Sequence, residues 1–292
     1  MVRPAPGIER TVAILNFLAE HPDQRFSLSE LCRRVGISKA TAHADVNTLA
    51  DAGYLLRNPT DKTFTLGPAL VSLGMAASTT EREIVELARG EMRRLSEELE
   101  AQCVASVAMG EEIVLLATEG RVQPFGMSAH VGARVPLVPP LGTVFMAWAD
   151  GSEVDAWLHR IGPNTSDAEL DRYQRALAAV RRRGYALGLD AAAMTRVNQA
   201  LDQHDDAHRQ IQDLGHAEYI LTKLEPDPSQ RVFLLAAPVF GPDAKLVLAL
   251  TVFGFGNPVT ADVVPRHAER LLEATGWVTE AIGGRARDDL AS

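Results

Sequence analysis

The feature that most constrains this chain is a run of helix starts and stops between Ser27 and Gly53. Ser27-Leu28-Ser29-Glu30 has the spacing of a capping box, in which the first hydroxyl and the fourth residue's carboxylate satisfy each other's free backbone amides. It predicts a short helix with Leu28, Leu31, Cys32 and Val35 facing inward, ended by Gly36. Ser38 then caps a second helix that runs to about Ala52 and stops at Gly53. The separating residues Val35-Gly36-Ile37-Ser38 give helix-turn-helix spacing. Gly36 permits the tight turn, and Ile37 plugs the core between the two helices.

The flanking residues extend the pattern. Ile8 to Glu20 reads as a preceding helix with Ile8, Val12, Leu15 and Leu18 as its inner stripe, widened by Ile14 and Phe17. His21-Pro22-Asp23 stops it, because proline disfavours helical backbone in the residue before it. On the helix after Ser38, the stripe Ala42, Val46 and Leu49 is buried. That leaves Lys39, Ala40, His43, Ala44 and Asn47 on or near the opposite face, where a recognition helix meets the major groove. Ser38, Lys39, Ala40, Thr41, His43 and Asn47 are the candidate DNA-binding residues of this helix. Tyr54 to Arg57, a turn at Asn58-Pro59-Thr60-Asp61, and Lys62 to Leu66 follow as a β-hairpin, a wing with Arg57 and Lys62 placed near its tip to meet phosphate. A small helical domain used for protein contacts is the alternative. Three consecutive capped elements and a basic-tipped hairpin favour DNA.

The net charge of −9 counts against nucleic acid until its distribution is considered. Met1 to Gly67 carries 8 Lys/Arg against 7 Asp/Glu, a balance of +1, so the acidic excess lies almost wholly beyond it. A segment near neutrality binds DNA only where its cations face one way, not by bulk charge.

Pro68 to Ala77 reads as a short linking helix. Thr80-Glu81-Arg82-Glu83 is a second capping box that starts a helix to about Ala101, with Ile84, Leu87, Ala88, Met92, Leu95 and Leu99 on one face. Such a stripe serves a dimer contact or a strut onto the next domain equally well. From Cys103 the chain reads strand, turn, strand: Val104 to Ala108, then Gly110-Glu111-Glu112, then Ile113 to Ala117. After an irregular proline-bearing stretch, Leu141-Gly142-Thr143 opens a helix through Trp148, and Ser152 caps the next. Ser166-Asp167-Ala168-Glu169 is a third capping box, on a helix that ends at Gly184 with Arg181, Arg182 and Arg183 in its last turn. Cations there suit the helix dipole and need no nucleic acid to explain them. Val232 to Val239 and Leu246 to Phe253 are two strongly apolar strands around the turn Gly241-Pro242-Asp243.

Phe26 to Leu31, Val35 to His43, Leu49 to Leu55 and the ending Phe64-Thr65-Leu66-Gly67 together resemble the winged helix of the IclR-type bacterial transcription regulators. Gly132 through Leu141-Gly142-Thr143, with Ala236 to Phe240, resembles that family's effector domain. The two resemblances cover most of Ile8 to Ile282. They imply an α+β protein with an N-terminal winged helix-turn-helix domain, a linker helix and a C-terminal GAF-like antiparallel sheet flanked by helices. The implied boundaries are 1–67 for the DNA-binding domain, 68–101 for the linker and interdomain helix, 102–283 for the effector-binding domain, and 284–292 for a disordered tail.

The resemblance also implies the partners: a two-fold symmetric operator in double-stranded DNA, a small-molecule effector, and a second copy of the chain, as a homodimer or a dimer of dimers. Its effector pocket implies Met127, Gly132, Leu141, Gly142, Thr143, Val144, Phe145, Asp190, Leu234, Leu235, Thr251 and Phe253 as effector-binding residues here. Amides at a helix start near Gly142 suit a carboxylate or carbonyl oxygen. Phe125 joins the apolar walls and His130 the few polar features. This chain departs from the family pattern in carrying Ala44 and then Asp45 where a basic residue usually follows the histidine, and Val144 where a basic residue follows the threonine. Its pocket is therefore expected to be more apolar than usual and to prefer a compact hydrophobic or aromatic acid.

Ala191 to Gly215 looks inserted relative to the family. It holds His204 and His208, four apart as in a zincin, with Asp205 at the place of the glutamate base. A shorter carboxylate would reach metal-bound water poorly, so a solvated polar helix is expected instead, with no metal. No Walker loop, nucleophile elbow, Rossmann glycines or CxxC pair occurs, so neither a cofactor nor catalysis is expected. Cys32 and Cys103 read as small buried hydrophobes in a reducing compartment. No apolar run approaches the ~18 residues of a membrane span, and the start lacks a signal-peptide stretch. The reading is a cytoplasmic, ligand-responsive transcription regulator. Its rivals are an effector-free DNA-binding protein and a metal-dependent hydrolase built on the insertion.

Overall fold

In the computed structural model, Ser27 and Glu30 close the capping box that their spacing implies. The Ser27 amide donates to the Glu30 carboxylate at 2.7 Å, and the Glu30 amide donates to the Ser27 hydroxyl at 3.4 Å. The serine hydroxyl and amide hold the Glu30 carboxyl below the usual carboxylate range. Residues 5–77, 80–120, 130–162, 165–189, 232–256 and 259–286 are described, and the chain divides into two units, Met1–Thr80 and Glu81–Ser292.

The first unit runs α1 (Pro6–Glu20), β1 (Phe26–Ser27), α2 (Leu28–Val35), α3 (Lys39–Asp51), β2 (Leu55–Arg57), β3 (Thr63–Leu66) and α4 (Ala69–Ala77). Gly36 ends α2 at φ 71°, a left-handed conformation that costs glycine little. β3 lies between β1 and β2, antiparallel to both. The hairpin is thus extended by the two-residue strand β1, which sequence periodicity is too short to show. Ile14, Phe17, Leu18, Phe26, Leu31, Val46, Leu49, Leu55 and Phe64 form one apolar core, with Ile37 packed against it. The inner stripe of α1 differs from expectation. Ile8 and Val12 are 68% and 47% exposed, whereas Ile14, Phe17 and Leu18 are buried. Helical periodicity fixes the relative phase of these residues but not where along the helix the core begins. Lys62 also stands outside β3, in the turn, at φ 59°.

The second unit begins with α5 (Thr80–Glu98), followed by β4 (Gln102–Met109), β5 (Glu112–Glu119), β6 (Arg134–Pro136), α6 (Thr143–Met146), α7 (Gly151–His159) and α8 (Asp167–Arg183). It continues with β7 (Ala186–Leu189), β8 (Val232–Phe240), β9 (Leu246–Phe253) and a helix at Val264–Ala281, here α9. The six strands make one antiparallel sheet in the order β6-β5-β4-β9-β8-β7. One face is covered by α5 and α9 through Val85, Ala88, Met92, Leu95, Leu271, Ala274 and Val278. The stripe of α5 therefore packs on its own domain's sheet. Leu87 is 43% exposed and Val85 takes the buried place instead. The other face meets α6, α7 and α8 through Val144, Phe145, Trp148, Trp157, Tyr173 and Leu177.

Two local expectations are corrected. The helix expected from Leu141 to Trp148 is a single turn, Thr143–Met146. α7 is capped by Asp150, not Ser152. Asp150 and Glu153 form the capping box, while the Ser152 hydroxyl donates to Asp150 at 2.6 Å. Two of the three arginines ending α8 make structural bonds: Arg181 donates to the Ala147 carbonyl, and Arg183 donates to the Tyr185 carbonyl at 2.6 Å. Burial lowers the Arg183 guanidinium to about 10.

Candidate functional site

Two surfaces concentrate the expected functional residues, one in each unit. In the first unit, burial of Ala42, Val46 and Leu49 turns the opposite side of α3 outward. Ser38, Lys39, Ala40, His43 and Ala44 are exposed there, and Thr41 and Asn47 are partly so. The Ser38 hydroxyl accepts from the Thr41 amide at 3.4 Å and pairs with the Thr41 hydroxyl at 2.8 Å, fixing the start of the helix. Asn47 Nδ2 lies 3.1 Å from His43 Nδ1, so these two side chains form one polar group on the outer face. Asp45 leaves that face. Its carboxylate accepts from Arg10 Nε at 3.2 Å, and only 19% of its side chain is exposed. The acid next to the position where the family usually has a base is thereby engaged with α1, and that position itself presents the exposed Ala44 methyl.

The wing is built by its own turn chemistry. The Asn58 amide donates to the Thr63 carbonyl at 2.8 Å, and the Asn58 side chain accepts from the Thr60 amide at 2.9 Å. Asp61 accepts from the Thr63 hydroxyl at 2.5 Å and from its amide at 3.0 Å. These bonds, the hydroxyl's first, hold the Asp61 carboxyl below its usual range. Arg57 and Lys62 are both exposed at this end. The Arg57 guanidinium stands 5.7 Å from the Phe64 ring centre, and Lys62 Nζ folds back to donate to the Pro59 carbonyl at 2.6 Å.

In the second unit, strand alternation gathers side chains on one sheet face. Val104 pairs with Thr251, Thr251 with Ala236, and Ser106 with Leu115 after a register shift between Ala105 and Ser106. With Ile113, Leu234 and Phe253 these residues floor a cavity of about 110 Å³. Pro140 through Phe145 and Val135 close its other side. A buried apolar cavity of roughly 150 Å³ admits benzene, so this smaller one takes an aromatic ring only with some outward movement of its walls. Among the described residues, none of the lining side chains is ionisable, and the polar ones are the hydroxyls of Ser106, Thr143 and Thr251.

The closing loop is pinned from outside. Trp157 Nε1 donates to the Leu141 carbonyl at 3.0 Å, and Arg160 donates to the Leu137 carbonyl at 2.7 Å. Gly142 has φ 83°, and a Cβ there would lie 2.2 Å from Leu137 Cδ1. The four-residue α6 supplies almost no dipole. What remains of the expected anion seat is the pair of first-turn amides of Thr143 and Val144, which lack intrahelical acceptors.

Leu141, Gly142, Thr143, Val144, Phe145, Leu234, Thr251 and Phe253 all line this cavity. Leu235 does not. It is fully buried on the opposite sheet face, among residues that meet α5 and α9, because neighbouring strand residues point to opposite faces. Gly132 is exposed at φ 88° and uses its amide to bond the Leu115 carbonyl at 2.8 Å, outside the lining. His130 is half-buried and does not line the cavity. Phe125, Met127 and Asp190 lie outside the described residues, as do His204, His208 and the whole of 191–215. Val104, Ser106, Ile113, Leu115 and Ala236 are wall residues that sequence reasoning missed. Among the described residues, no three of His, Cys, Asp or Glu gather as a metal site, and no helix is long and apolar enough to cross a membrane.

Comparison with known proteins joins the two surfaces. Residues 7–59 match the family model of the IclR helix-turn-helix domain, and residues 76–197 match that of the bacterial transcriptional regulator IclR C-terminal domain. Together the matches span more than half of the chain. The HTH-type transcriptional regulator XynR of Escherichia coli is 28% identical over 187 residues, which cover 62% of this chain and 73% of XynR. The crystal structure of an IclR transcriptional regulator from Alicyclobacillus acidocaldarius shares the fold with TM-score 0.67 and 21% identity, over 97% of this chain and 100% of that one. An IclR homologue from Microbacterium hydrocarbonoxydans, solved as a complex with 4-hydroxybenzoate, does so with TM-score 0.63 and 20% identity, over 96% and 98%.

Proposed function

Since the chain belongs to the IclR family of bacterial transcription regulators, we propose that α3 reads its operator while a compact apolar or aromatic acid in the cavity of the second unit controls that binding. The cavity carries the ligand class: about 110 Å³, lined among the described residues by no ionisable side chain. Burying an aromatic ring there gains about 25 cal/mol per Å² of apolar area. A strongly hydrated small acid would surrender its water without meeting a cation among the described lining residues. The Thr143 and Val144 amides and the three lining hydroxyls suffice to orient one polar group. The complex of the Microbacterium protein with 4-hydroxybenzoate is consistent with a ligand of this class.

In the DNA complex, Lys39, His43 and Asn47 face the major groove and Ala44 offers a methyl contact suited to thymine. Arg57 and Lys62 meet phosphate. Replacing Arg57 or Lys62 by alanine should weaken binding to all sequences alike and reduce the slope of log K against log salt by about one unit each. A change in base preference with an unaltered slope would contradict the wing assignment.

A two-fold operator requires at least a dimer, and the exposed Ile8 and Val12 are apolar surface that a second copy could cover. Sites selected from a random DNA pool should therefore be two-fold symmetric, and light scattering should show a dimer or a dimer of dimers. A monomer at micromolar concentration, with and without the selected DNA, would refute the assembly. A regulator that works in this way belongs in the cytoplasm and acts by binding DNA, without catalysis.

A further inference from the structure

We infer that the Ser106 hydroxyl is the sheet-side anchor for the effector's acid group and sets the direction in which the effector lies, carboxylate beneath α6 and ring toward Leu234 and Phe253. The inference rests on the reading of the cavity as the effector pocket, and adds to it one anchoring residue and an orientation.

Ser106 is 4% exposed and Thr143 is 7% exposed, and both line the cavity. Neither hydroxyl has a hydrogen-bond partner among the described residues, and neither oxygen is shut off from accessible space. A buried polar group left unmet is unfavourable, so natural structures almost always supply a partner. Strand register divides the cavity floor into rows. Ser106 pairs with Ala249, and Ala249 with Pro238. Two residues along, Val104 pairs with Thr251, and Thr251 with Ala236. Two further on stand Phe253 and Leu234, themselves partners. Successive rows are about 7 Å apart.

The closing turn crosses the sheet just beyond the first row. On one side, a Cβ at Gly142 would lie 3.6 Å from Ile113 Cδ1, and Ile113 pairs with Ala108, two residues past Ser106. On the other side, the Trp148 ring meets that of Phe240 edge-on at 5.2 Å, and Phe240 is two residues past Pro238. α6 runs between these two points, so the row of Ser106 is the part of the floor nearest to Thr143. The cavity is polar at this end, with one hydroxyl on the floor and one on the closing turn. At the other end Leu234 and Phe253 offer only hydrocarbon. Both hydroxyls can turn to donate, and a carboxylate accepts from two donors at once. Hydrogen bonds to an ionised acceptor are the stronger kind, so the acid group takes the Ser106 end and leaves the ring to the apolar one.

The test uses the full chain and three probes: benzoate, toluene, in which a methyl replaces the carboxylate, and 4-isopropylbenzoate, which extends the far end of the ring. Calorimetric affinities are compared for the wild type, Ser106→Ala, Leu234→Ala and Phe145→Ala. Ser106→Ala should weaken benzoate about ten-fold, the size of one hydrogen bond to a charged group, and leave toluene within two-fold. Leu234→Ala opens the far end and should raise the affinity for 4-isopropylbenzoate relative to benzoate at least five-fold. Benzoate unchanged by Ser106→Ala, or toluene weakened as much as benzoate, overturns the inference. A ratio of the two acids that Leu234→Ala does not move also overturns it, because the ring then points elsewhere. These results leave the pocket reading intact provided that Phe145→Ala weakens every probe that binds. If the wild type binds no probe, or Phe145→Ala weakens none, the pocket reading has failed and the inference with it.

Discussion

Alanine at Gly67 is expected to destabilise the winged unit strongly without unfolding it outright. The residue leaves the wing where it crosses the end of α3. Its amide donates to the Tyr54 carbonyl at 2.7 Å, and a Cβ on it would lie 2.2 Å from the Gly53 carbonyl oxygen and 2.9 Å from the Leu55 amide nitrogen. Both obstacles are backbone, so no rotamer change relieves them. Gly53 is itself held at φ 78° and accepts from the Ala69 amide at 3.1 Å, which ties the start of α4 to the same crossing. Overpacking of this kind costs about 3 kcal/mol. That is a large share of the stability of a unit of some 80 residues, on the order of 5–10 kcal/mol. Hydrogen exchange in the full chain reads the two units apart. Protection across Phe26–Leu66 should fall by about a hundred-fold, while that across Gln102–Glu119 should hold. Unchanged protection in the first segment would show that the crossing opens without cost.

Phe145→Ala should have the largest effect on the effector. Phe145 is 6% exposed, lines the cavity and sits on a single helical turn pinned by Trp157, Arg160 and Arg181 through the carbonyls around it. Removing the ring takes a wall from the ligand, at about 2 kcal/mol of lost apolar contact, which corresponds to roughly thirty-fold in affinity. It also costs the second unit on the order of 3 kcal/mol of stability, so affinity should be compared well below the melting transition. Aromatic acids should weaken as stated, and binding to selected DNA without effector should stay within two-fold of wild type. An aromatic acid indifferent to the change would place its site elsewhere.

These predictions draw on parts of the molecule that differ in how openly the sequence declares them. The winged unit was legible because its signals are local. Ser27 with Glu30, Gly36, and Ser38 each fix a helix end within four residues, and the structure places all of them as helix caps. The failures there are of longer range. Ile8 and Val12 keep the helical spacing yet lie beyond the core's reach. The pair Arg10–Asp45 joins residues 35 apart, which no spacing rule reveals. In the second unit the strands are buried on both faces, so their sequences are continuously apolar and period-two alternation gives no sign of which face holds the cavity. Leu234 and Leu235 are indistinguishable in sequence, but they lie on opposite sides of the sheet. Val104, Ser106, Ile113 and Leu115 were hidden for the same reason, with the register shift after Ala105 as a further obstacle. The loop around Gly142 was legible through its family pattern, though the helix it opens proved to be one turn.

The link between the two units' roles is tested most directly by titrating the full chain into a DNA site selected from a random pool, read by fluorescence anisotropy. The titration is run alone, with a compact aromatic acid such as 4-hydroxybenzoate, and with glyoxylate at the same concentration. The aromatic acid should shift the DNA dissociation constant at least five-fold, in either direction, and glyoxylate should leave it unchanged. A shift produced by glyoxylate and not by the aromatic acid would contradict an apolar effector pocket that governs DNA binding.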